Sequence, residues 1–180
     1  FARRHPVCLS LAGPHAALTL FSIAAAHGDA PAAAEPARLF QGDGARRAWA
    51  LLSELHALAF QGWADKNPIG ILDAMSQGGE AVYCPLVYGY VNYAAPVSGA
   101  HPLHFLDVPA GPGGRLGSTL GGTGLAVSRR ATASKALKQH LRALMSLPMQ
   151  TGFIPFAEGQ PSARAAWSDA RVNTAWNGFF

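Results

Sequence analysis

The sequence predicts an α/β domain of three layers, with helices on both faces of a mixed, mostly parallel sheet. Short apolar runs of strand length alternate with longer stretches of helical periodicity, and glycine or proline punctuates the joins. Hydrophobic residues make up 49% of the chain and charged residues only 13%, against about 25% charged in an ordinary domain, so a large share of the surface is expected to be buried. No long linker divides the 180 residues, which suffice for one core and sit awkwardly for two. Residues 1–180 are therefore read as a single domain.

The elements follow in order. Residues 6–11 (PVCLSL) fit a buried strand closed by the Gly13-Pro14 turn signal. Residues 16–26 are uncharged, with Leu20, Ile23 and Ala24 at helical spacing, and residues 29–36 are a polar, proline-broken loop without chemistry. Gly44 leads into a helix whose Ala48, Leu51, Leu52, Leu55, Leu58 and Ala59 form one stripe, with Gly62 just past its end. Asn67-Pro68 offers an N-cap and a first-turn proline for a helix over 68–77, stopped by Gly78-Gly79. Strands are predicted over 80–86 and 103–108. A glycine loop over 110–122 leads to a strand over 124–128 that turns Leu125 and Val127 inward. An amphipathic helix follows, capped by Thr132 or Ser134, with Leu137, Leu141, Leu144 and Met145 on its buried face.

Ligands of such sheets sit at the carboxyl ends of strands, which draws attention to residues 12–16, 85–92 and 116–123. Tyr88, Tyr90 and Tyr93 crowd into YGYVNY. A tyrosine packs its ring on C–H surface while its hydroxyl finds a partner, which suits sugar faces, and alternation sends Tyr88 and Tyr90 to one face. The competing reading is a tyrosine-lined packing seam. His15 follows the first predicted strand and is either a ligand contact or an exposed loop histidine. Gly121, Gly122 and Thr123 belong to a loop whose missing side chains let a ligand or another backbone come close. That loop lacks the spacing of a phosphate-binding loop and precedes a strand, so a nucleotide is not implied.

No catalytic residue is assigned, because G-x-S-x-G, H-E-x-x-H and paired carboxylates within one loop are all missing. His101 and His104 are three apart in an expected strand and face opposite ways, so no metal site is assigned. No cofactor is implied either. The formal charge of +4 is spread along the chain, which does not point to nucleic acid. No apolar run approaches the roughly 18 residues of a membrane span. The chain opens at Phe1 without a signal-like segment and reads as a mature or trimmed piece. Cys8 and Cys84, the only cysteines, are either a buried thiol pair or a disulfide. Arg164 and Trp167 lie one helical turn apart and are expected to pack that segment onto the domain, with a ligand contact from Gln160 or Arg164 as the other use.

Four segments together resemble a known family. GSTLGGTGLAVSRRATASKALKQHLRALMS followed by GFIPFAEGQPSARAAWSDARVNTAWNGFF is similar to the C-terminal half of the extracellular solute-binding proteins of bacterial ABC importers. GILDAMSQGGEAVYCPLVYGYVNYA resembles that family's helix, "GEAAM" and strand block, and RHPVCLSLAGPHAALTLFSIAAAHGD resembles the strand that opens its second lobe. The resemblance implies one lobe of a type II periplasmic-binding-protein-like fold, secreted to the periplasm or cell exterior, where a disulfide is permitted. It also implies a small polar solute, with a sugar as the favoured class. The partners it implies are the first lobe of the same protein and the membrane permease subunits of an ABC importer. Under it, His15 falls where the family places an aromatic or polar ligand contact. The alternative is a small α/β hydrolase-like enzyme using His15 with a carboxylate that the sequence does not identify.

Overall fold

The computed structural model describes residues 1–31, 38–95 and 99–180. The loop expected over 29–36 therefore lies mostly outside the described residues. The chain forms two compact units, one from Phe1–Tyr88 and Leu106–Gly121 and the other from Gly89–Phe105 and Gly122–Phe180.

The first unit is built on three helices, α1 (His15–Ala26), α2 (Gly44–Leu58) and α3 (Pro68–Ser76). Helix α1 is apolar nearly all round and buries Ile23 and Ala24 against Ala48 and Leu52 of α2, with Leu9 completing the cluster. A second cluster gathers Cys8, Ile71 of α3 and Ala81, with Trp63, Met75 and Cys84 packed on it. Helix α3 starts where the sequence places it: the Asn67 side chain accepts the Gly70 N–H at 2.9 Å, and Pro68 occupies the first turn. The start of α2 is held from a distance. The Asp29 carboxylate accepts the N–H groups of Gln41, Gly42 and Ala45, each at 3.0 Å, and so serves as a remote cap.

The expected three-layer sheet is corrected by the structure, because no strand forms among the described residues. Residues 6–11 and 80–86 do meet side by side, but only as one isolated parallel bridge between Val7 and Tyr83. The reason is local. The Val7 carbonyl accepts the Phe60 N–H at 2.7 Å, so the chain leaving α2 occupies the edge where a further strand would add. Pro6 and Pro85 bring no N–H to a ladder, and Leu86 adopts φ 55°, which turns the run out of extended geometry. The stretch 103–108 is bracketed by prolines and builds no ladder. The stretch 124–128 is corrected in a second way, since Leu125 is 65% exposed and Val127 is exposed as well. The one-lobe sheet that the resemblance implies is thus absent among the described residues, whose architecture is helices joined by extended connections.

The second unit holds α4 (Lys135–Leu144), a five-residue π-helical turn Met149–Phe153, and three short helices, α5 (Ile154–Phe156), α6 (Arg164–Trp167) and α7 (Ala170–Ala175). Ser134 is the cap of α4, accepting the Leu137 N–H at 3.2 Å. Leu137, Leu141 and Leu144 are half-buried, whereas Met145 is exposed. The core of this unit is Val91, Val172 and Trp176, joined by Phe179 and Phe180. Buried Gln150 fastens the turn after α4 to the next segment: its carbonyl oxygen accepts the N–H groups of Ser162 and Ala163, while its amide donates to the Leu144 carbonyl at 3.0 Å. Trp167 is 41% exposed and donates its ring N–H to the Pro161 carbonyl, so the anchoring tryptophan is instead Trp176, 6% exposed and bonded to the Pro155 carbonyl at 2.8 Å.

Candidate functional site

A small cavity of mixed lining lies in the first unit, between the start of α1 and the segments that flank it. Its volume is about 40 Å³; Leu18, Leu86, Val87 and Val108 give it apolar walls, and Ser10, His15, Thr19, Ser22, Tyr88, Ser118 and Thr119 supply its polar groups. The sequence places these groups together by three local devices. Ser10 ends the extended run that passes under α1. Helix α1 begins at His15, so Thr19 and Ser22 follow one and two turns along. Thr119 is bound to α1 directly, its N–H donating to the Ser22 hydroxyl at 2.9 Å and its own hydroxyl to the Leu18 carbonyl at 3.0 Å.

The glycine loop reaches α1 because it carries no side chain at the point of contact. A Cβ at Gly117 would overlap the Ser22 carbonyl and the Ala26 amide, so the backbone lies directly on the helix. The same holds one step further on: a Cβ at Gly121 would come within 2.8 Å of the Tyr88 ring. Tyr88 in turn meets His15 edge to face, with ring centroids 6.1 Å apart. Three of the sequence-derived candidates, His15, Tyr88 and Gly121, therefore assemble at one place. Tyr90, Gly122 and Thr123 belong to the second unit, where Tyr90 is 38% exposed, Gly122 has open space around it and Thr123 is exposed.

Sequence reasoning missed Ser10, Thr19, Ser22 and Thr119. Ser10 is 3% exposed and its hydroxyl has no partner among the described residues, although a buried hydroxyl ordinarily finds one. The neighbouring hydroxyls are committed, since Ser22 donates to the Leu18 carbonyl at 2.9 Å and Thr19 reaches the Ser10 carbonyl at 3.4 Å. The cavity thus offers an unused donor and acceptor at its floor and two aromatic rings at its side. No carboxylate lines it among the described residues. Larger hollows of about 760 and 100 Å³ share the apolar side chains Leu51, Leu55, Pro85 and Pro109. The larger of these also takes Arg3, Arg4, His5 and Glu54 into its lining, and the smaller takes His27, whose Nδ1 is buried without a partner among the described residues. What distinguishes the small cavity is that a free hydroxyl and two of the sequence-derived candidates, His15 and Tyr88, meet there.

Arg164 is exposed, and the Gln160 side-chain oxygen Oε1 accepts the Val91 N–H at 3.4 Å. Within the second unit that glutamine has a structural use. No helix among the described residues is long and apolar enough to cross a membrane. No protein-family model, curated protein or solved structure matches the chain.

Proposed function

We propose that the chain is a solute-binding domain that takes up a small polar solute, of the sugar class, for delivery to the membrane permease of an ABC importer. The observation that carries this reading is the buried, unpartnered Ser10 hydroxyl in a cavity flanked by His15 and Tyr88. A cavity of about 40 Å³ holds a group the size of one hydroxyl or a water. One hydroxyl of the solute would displace water there and bond to Ser10, while the C–H face of its ring rests on the aromatic pair outside. The segment resemblance suggests both the class of protein and the sugar class of ligand, and a free hydroxyl beside two rings supports that reading. The first lobe of the same protein and the permease are the partners that go with this reading, and the periplasm is its setting.

Native mass spectrometry of the protein purified without refolding tests the proposal. A retained neutral solute carrying several hydroxyls supports it. A panel of mono- and disaccharides that neither binds nor shifts the melting temperature, with no solute retained, rejects it.

A further inference from the structure

We propose that Cys8 and Cys84 are a redox-active pair that a peroxide converts to an intramolecular disulfide, tying the extended run before α1 to the segment after α3. This inference does not depend on the solute-binding reading. Its basis is register. The parallel bridge pairs Val7 with Tyr83, and the Cys8 N–H donates to the Tyr83 carbonyl at 2.9 Å, so Cys8 and Cys84 are the next residues along on both sides. Adjacent extended chains lie about 4.8 Å apart, and a disulfide needs its Cα atoms within roughly 4.4–6.8 Å. Equal offsets from a parallel bridge send both side chains to the same face, and both sulphurs do reach one cluster with Ile71 and Ala81.

Each thiol has a backbone acceptor, the Cys8 thiol reaching the Tyr83 carbonyl at 3.7 Å and the Cys84 thiol the Pro85 carbonyl at 3.9 Å. The nearness of Cys84 holds the Cys8 thiol below its ordinary range, while the nearness of Cys8 and burial push Cys84 up. The pair is unbridged in the structure. Cys8 is fully buried and Cys84 only half-buried, so a small oxidant approaches from the Cys84 side. Oxidation balances in two steps. Hydrogen peroxide oxidises one sulphur to the sulfenic acid and leaves as water. The neighbouring sulphur then attacks that sulphur, the S–S bond forms as the S–O bond breaks, and the hydroxyl departs with the second thiol proton as another water.

The test treats the reduced, native chain with a small excess of hydrogen peroxide, then counts thiols in urea and maps peptides without reduction. The expected result is loss of both thiols and a linked pair of peptides carrying Cys8 and Cys84, lighter by two hydrogens than their sum. The melting temperature should rise by on the order of 5 °C, and a thiol reductant should reverse the rise. Cys84→Ala should yield no linked pair. Two thiols still titrating after peroxide, or thiols lost without the linked peptides, would overturn the proposal.

Discussion

Ser10 carries a hydroxyl into a cavity where it meets no hydrogen-bond partner among the described residues, and a buried unpaired hydroxyl costs about 1–3 kcal/mol. Ser10→Ala should therefore leave the free protein as stable as before or slightly more so, while weakening solute binding. Thermal melts and titrations of the one variant separate the two effects. Asp29 is the opposite case, because its carboxylate accepts three backbone N–H bonds. The bond from the Ala45 N–H, with those from Gly42 and Gln41, holds its carboxyl below the usual carboxylate range. A depressed folded value means that the stabilisation is fully present above the unfolded pKa of about 3.9 and is lost as pH falls through the lower folded value. Asp29→Asn should thus lower the melting temperature at pH 7. The gap from wild type should narrow below about pH 4. An equal gap at pH 7 and pH 2.5 would contradict the role assigned to this carboxylate.

At the scale of elements, what is encoded locally was legible and what is encoded by partners was not. The starts of α3 and α4 could be read because Asn67-Pro68 and Ser134 satisfy backbone donors within one turn. The stripe of α2 could be read in part, since Ala48 and Leu52 are buried while Leu51 is exposed, and that of α4 less well, since Leu137, Leu141 and Leu144 are only half-buried and Met145 is exposed. A strand needs a second strand in register, and nothing in residues 80–86 announced that Leu86 would turn away or that Phe60 would take the Val7 carbonyl. The site divides the same way. His15 and Tyr88 stand at the ends of apolar runs, where chemistry is expected. Thr19 and Ser22 repeat along α1 at helical spacing from His15, a signal the sequence does carry, whereas Ser10 and Thr119 come from distant segments and share no spacing with them. The two tryptophans make the packing side testable. Trp176→Ala removes a buried ring and should cost about 3–5 kcal/mol, whereas Trp167→Ala, half in solvent, should cost under about 2 kcal/mol. Denaturant melts of both decide the order, and equal losses would contradict the assignment of the second unit's core.

Each of the two units is assembled from separated stretches of chain, which passes between them after Tyr88, Phe105 and Gly121. A single cut cannot release either one whole. Limited proteolysis should accordingly degrade the chain without leaving two stable, separately purifiable fragments, and recovery of such a pair would contradict it. The central claim concerns the cavity under His15 and Tyr88. Its most direct test is a calorimetric titration of the copurifying solute, or of the best sugar from a panel, into the native chain and into Tyr88→Ala. Removal of the ring should weaken binding by about tenfold or more while the melting temperature of the free protein stays within a few degrees. A Tyr88→Ala protein that binds as tightly as the native chain but melts much earlier would show that this tyrosine packs the fold and that the solute site lies elsewhere.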